Sequence, residues 1–132
     1  MDIIKHLIAS VPQLDPNTVD DVIVGCANPE GEQGLQIGRL IAARALGQDV
    51  PGVTINRYCG SGLEAISMAV GKIRAGYGHI YIAGGAESMS SVPMTGYKLA
   101  PSYKANQHNI NYHVGMGHTC LLYTSPSPRD RG

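Results

Sequence analysis

Residues 52–66 read GVTINRYCGSGLEAI. The apolar run Val53–Ile55 predicts a short strand, and from Ser61 the positions Leu63, Ile66, Val70 and Ile73 recur at helical spacing until Gly76 ends the run. Cys59 therefore falls at a strand-to-helix joint, where the working groups of open α/β sheets collect. A thiol there stands beside the unpaired N–H groups and positive dipole end of a helix, which favour the nucleophilic thiolate. Gly60 and Gly62 allow a tight turn, leave room for a substrate to approach the backbone, and offer N–H groups to a developing oxyanion; Ser61 can cap the helix. The same pattern also suits a small packing cysteine. Asn56 and Arg57 suit turn chemistry and a solvated charge as well as substrate positioning.

Outward from this joint the chain alternates helix and strand. Ile3, Ile4, Leu7 and Ile8 share one helical face in MDIIKHLIAS, and VDDVIVGCA reads as a buried strand that makes Cys26 a core residue. After the loop NPEGEQGLQIG, the positions Leu35, Ile37, Leu40, Ile41 and Ala45 predict a helix that Gly47 stops. HIYIAGG is the next strand. Near-continuous apolar strands between helices predict an α/β domain with a mostly parallel sheet, helices on its faces and right-handed crossovers. Beyond Met94 the sequence turns polar and tyrosine-rich without a clear period, which predicts a surface excursion. The Ser-Pro pairs of CLLYTSPSPRDRG are expected to keep residues 120–132 out of regular structure.

Composition narrows the function classes. The 132 residues are 43% hydrophobic and 15% charged, with ten basic and ten acidic side chains, so the chain is an ordinary globular one. It has no basic stripe for nucleic acid or an anionic membrane. Cys26, Cys59 and Cys120 show no paired spacing, which argues against a disulfide framework or a zinc site and for a reducing compartment. No apolar run is long enough to span a bilayer. No metal and no bound cofactor are expected, and the location expected is cytoplasmic, with an organelle as the alternative for an intact parent protein. Glu30 and Glu32 read as loop charges. His108, His113 and His118, five apart, do not share a helix face and read as solvated rather than as a metal triad.

NRYCGSGLEAI resembles the nucleophile segment of the thiolases, the acetyl-CoA acyltransferases, in which Asn-Arg precedes the active cysteine and Ser-Gly opens the helix. PEGEQGLQIGRLIA, AGGAESMSSVPM and MGHT resemble further family blocks in the same order, so the likeness covers most of Val19 to Thr119. Gly60 stands where the family commonly has Ser. The resemblance implies that Cys59 attacks the keto carbon of a 3-ketoacyl-CoA, releases acetyl-CoA, and passes the acyl group to a second CoA as a thioester. It implies coenzyme A as a substrate, a homodimer or homotetramer, a place for Met116 in the CoA channel, and a structural role for Glu87. PEGEQG resembles the degradative, fatty-acid-oxidising branch more than the biosynthetic acetoacetyl-CoA branch. A glycine-rich nucleotide-binding module fits less well, because CANPEGEQG and NRYCGSG lack the phosphate-loop spacing.

The same likeness predicts a partial domain. The family's first strand precedes the helix that MDIIKHLIAS resembles, and its catalytic histidine and second cysteine lie in a half that this sequence does not contain. The expected organisation is a partial N-terminal α/β core over residues 1–94, lacking its first and last strands, the start of a loop-rich insertion over 95–119, and a non-native, disordered tail over 120–132. The chain alone is expected to be inactive, and a truncated product with no function of its own is the competing reading. The eleven residues Cys120 to Asp130, CLLYTSPSPRD, resemble the in-frame translation of a transposase adapter used in preparing sequencing libraries.

Overall fold

The computed structural model describes residues 2–124. They divide into two compact units, one running to Lys98 and the other starting at Leu99. In the first unit the order is α1 (Asp2–Ala9), β1 (Asp21–Gly25), α2 (Ile37–Ala45), β2 (Gly52–Ile55), α3 (Ser61–Arg74) and β3 (Tyr81–Gly85). The three strands form a parallel sheet in the order β2-β1-β3. Ile23 at the centre of β1 pairs with Val53 on one side and Ala83 on the other.

After Asp21 the central strand is apolar because both of its faces are covered. Val22 and Val24 point to one face and pack with Val19, Ala42 of α2 and Val50, with Ile4 of α1 against them. Ile23 points to the other face and packs with Ala65 and Ala69 of α3. The chain moves from β1 to β2 in one direction and from β2 across to β3 in the other, so crossovers of one hand place α2 and α3 on opposite faces. Gly47 (φ 145°) follows the end of α2, and Gly76 (φ 77°) follows the end of α3, as the sequence predicts.

The apolar stripe of α3 turns outward. Leu63, Ile66, Val70 and Ile73 are exposed, while Ser61, Ala65 and Ala69 form the buried face. The reason is the close approach of α3 to the sheet: a Cβ on Gly25 would lie 2.5 Å from the Ser61 carbonyl carbon, so only small side chains fit between.

The second unit departs from the expected irregular excursion and disordered tail. It contains α4 (Tyr103–His108), a 3-10 turn (Ile110–His113) and α5 (Met116–Thr124). Cys120 to Thr124 are thus helical, not irregular. A proline restricts chiefly the residue before it, and the first of this stretch is Pro126, so the Ser-Pro pairs do not bear on Cys120 to Thr124. The expectation for residues 125–132 lies outside the described residues. No helix among the described residues is long and apolar enough to cross a membrane.

Candidate active site

Cys59 stands exposed between the carboxyl end of β2 and the start of α3. Its turn is held by backbone bonds from Gly60 N–H to the Arg57 carbonyl (3.0 Å) and from Ser61 N–H to the Tyr58 carbonyl (3.1 Å). Those two N–H groups are therefore engaged and do not face a substrate. The left-handed position is Tyr58 (φ 45°), whereas Gly60 has φ −86°. Ser61 does not cap α3; its Oγ accepts from Arg57 N–H (2.9 Å) and donates to the Tyr58 carbonyl (2.5 Å), clasping the turn from inside. A Cβ on Gly62 would meet nothing within 4 Å, so the backbone there is open to an approaching group.

The polar pair before the cysteine is tied down on both sides. Asn56 Oδ1 accepts from Tyr58 N–H (2.8 Å), an Asx turn, and Asn56 Nδ2 donates to the Ala27 carbonyl in the loop after β1 (2.9 Å). Arg57 forks onto Glu64, one turn into α3, with Nε–Oε2 at 2.8 Å and the terminal nitrogen 3.1 Å from Oε1. Arg57 is thus committed to an ion pair, and Glu64 carries the negative charge that a helix start favours.

Behind this turn lies a network that sequence reasoning missed. Gln33, 3% exposed, donates to the Asn28 carbonyl (2.9 Å) and to Glu87 Oε1 (2.7 Å) and accepts from Ser88 N–H. Glu87 Oε2 accepts from Ala27 N–H (2.6 Å). The loops after β1 and β3 and the turn holding Gln33 are joined by these two side chains. Gln33 sits inside the polar loop NPEGEQG, and nothing local in that loop marks it as buried. Burial, and after it the Glu87 charge, pushes the Cys26 thiol up. Cys26 is 1% exposed, a core residue as expected.

The remaining candidates scatter. Glu30 accepts from Tyr97 N–H (2.8 Å) and Glu32 from the Tyr97 hydroxyl (3.3 Å), so they pin a loop. His108, His113 and His118 are exposed, and among the described residues no cluster could hold a metal ion. Met116 opens α5 in the second unit and is exposed.

A family model described as Thiolase, N-terminal domain, matches residues 1–123. The chain belongs to the thiolase family. Over 102 residues it is 50% identical to a 3-ketoacyl-CoA thiolase of Bacillus subtilis, an alignment covering 76% of this chain and 26% of that protein. Over 113 residues it is 42% identical to a 3-oxoadipyl-CoA/3-oxo-5,6-dehydrosuberyl-CoA thiolase of Escherichia coli, covering 85% and 28%. The crystal structure of the Bacillus anthracis acetyl-CoA acetyltransferase superposes with a TM-score of 0.61 at 30% identity, covering 75% of this chain and 27% of that one. This thiolase-family chain thus spans about a quarter of the length of the relatives it matches.

Proposed function

We propose that this chain is the nucleophile-bearing part of an acyl-CoA C-acyltransferase of the degradative type, with Cys59 as the residue that carries the acyl group. The observation behind the reading is the exposed thiol of Cys59 at a braced strand-to-helix turn, in a chain 50% identical to a 3-ketoacyl-CoA thiolase. The Cys59 thiolate attacks the keto carbon of a 3-ketoacyl-CoA and the carbonyl electrons move onto oxygen. As they return, the bond between the keto carbon and its neighbour breaks, and the carbanion is protonated to acetyl-CoA. The acyl group stays on Cys59 as a thioester until a deprotonated CoA thiol attacks it and expels the Cys59 thiolate. CoA is a substrate, not a resident cofactor, and Met116 is assigned to its channel on the family resemblance. A homodimer or homotetramer and a cytoplasmic location belong to the same reading.

A lone nucleophile does not complete this cycle, which needs an acid and a base at the acetyl carbon. The 132-residue chain by itself is therefore proposed not to catalyse thiolysis. CoA-dependent cleavage of acetoacetyl-CoA by the purified chain, lost in Cys59→Ser, would overturn that. In a full-length protein carrying this segment, a 3-ketoacyl-CoA given without free CoA should add one acyl mass to the Cys59 peptide. Cys59→Ser should keep substrate binding and lose turnover, and an adduct elsewhere refutes the assignment.

A further inference from the structure

We propose that Glu87, oriented by the buried Gln33, is a positioning residue for Cys59. It acts through the loop after β1 and the side chain of Asn56. The proposal rests on the reading of Cys59 as the nucleophile. An exposed carboxylate is ordinarily left to water, yet both oxygens of Glu87 take protein N–H donors: Oε2 from Ala27 (2.6 Å) and Oε1 from Gln33 (2.7 Å). Gln33 is satisfied at both of its polar atoms, so it fixes the carboxylate's orientation. The Ala27 carbonyl then accepts from Asn56 Nδ2 (2.9 Å), and Asn56 Oδ1 accepts from Tyr58 N–H (2.8 Å).

The chain of bonds ends on the one residue of the turn that needs holding. Tyr58 has φ 45°, a conformation that side-chain-bearing residues keep only where the surroundings impose it. Cys59 is the next residue. If Tyr58 relaxes to negative φ, the thiol swings away from the start of α3. The Ser61 clasp acts on the same turn from within its own segment, whereas Glu87 ties the turn to the ends of β1 and β3, which pair with each other.

The test is a double-mutant cycle in a full-length protein carrying this segment. Site-resolved mass spectrometry measures iodoacetamide labelling of Cys59 at neutral pH, and amide exchange is followed at Ala27 and Tyr58. Asn56→Asp removes the donor to Ala27 and keeps the acceptor for Tyr58. Glu87→Gln alone should slow Cys59 labelling about fivefold, within the usual range of coupling between contacting residues. It should also speed exchange at Ala27 and Tyr58 while Val22 and Ile23 stay protected. In the Asn56→Asp background it should slow labelling no further. Independent, multiplying effects, or an unchanged rate in Glu87→Gln, overturn the proposal. If Glu87→Gln does not fold, Glu87→Asp decides, since it keeps the charge and shortens the reach to Ala27 and Gln33: slower labelling with faster Tyr58 exchange supports the proposal, and wild-type values of both overturn it. If wild-type Cys59 labels no faster than Cys26, the nucleophile reading fails, and the Tyr58 exchange rate then judges the hold on the turn by itself.

Discussion

At the residue scale, Cys59 and Cys26 place the same thiol in opposite surroundings. Cys59 is exposed at the turn, whereas Cys26 is sealed in the core with its thiol pushed up by burial and by the Glu87 charge. Because the thiolate is the reacting form, iodoacetamide at neutral pH should label Cys59 at least about tenfold faster than Cys26. Cys26 should gain on it only above the ordinary thiol range or once the chain unfolds. Site-resolved labelling at equal rates in the folded chain would remove the basis for treating them differently. Asp20 supports a second prediction. Its carboxylate accepts from the N–H groups of Ile80 (2.9 Å) and His79 (2.7 Å), bonds that hold it below its ordinary value of 3.8. With the folded carboxyl more acidic than the unfolded one, its contribution is fully present above about pH 4 and disappears as pH falls through the folded value. Urea titrations of Asp20→Asn should show a lower midpoint at pH 7 and a shallower acid decline than wild type. Parallel acid limbs would refute this role. The place of Cys59, exposed at a strand-to-helix joint, was legible from its own neighbours in sequence. That of Gln33 was not, because its partners lie up to 55 residues away.

Among the elements, the strands were readable because parallel strands covered on both faces leave little but apolar residues to write them with, as VIV in β1 shows. The periodicity of α3 predicts its existence and its end at Gly76 but points to the wrong side. A stripe of large apolar residues ordinarily marks the buried face, yet here Ala65 and Ala69 are buried and Leu63 is 75% exposed. The deciding contact is between elements. Gly25 of β1 lets the backbone of α3 come so near that large side chains are excluded, and no window of α3 sequence carries that information. The substitutions Gly25→Ala and Leu63→Ser separate the two faces in this chain. Gly25→Ala pushes a methyl group against the Ser61 backbone, which cannot yield as a flexible side-chain tip would, so it should cost about 1–3 kcal/mol. Leu63→Ser should stay within about 0.5 kcal/mol, as surface changes do. Denaturant midpoints in the reverse order would mean that Leu63, not Gly25, faces the core. The turn between β2 and α3 obeys the same logic. Its glycines suggest that glycine supplies the left-handed residue, but Tyr58 does, held by Asn56.

For the whole molecule, the family match runs over residues 1–123, and the likeness of the quoted blocks ends at MGHT, Met116 to Thr119. The peptide CLLYTSPSPRD, Cys120 to Asp130, carries the resemblance to a translated adapter on which the proposal below rests. The helix of α5 continues through Cys120 to Thr124 because Leu121 and Leu122 are good helix formers and the first proline comes only at Pro126. A helical start is thus no argument for a native origin: any short run of such residues extends a helix already begun, since each added residue only propagates it. The nucleotide sequence discriminates where the backbone does not. We propose that the codons for Cys120 to Asp130 are adapter DNA, that Arg131 and Gly132 come from the adjoining index, and that Cys120 has no cellular role. Amplification from the source genome across the Thr119 codon should give a frame that leaves CLLYTSPSPRD at once, enters Ala-Glu and continues into the second half of a thiolase. Genomic codons that spell CLLYTSPSPRDRG in place would overturn the adapter origin. They would also make Cys120 a genuine third thiol, to be included in the labelling comparison of Cys59 with Cys26.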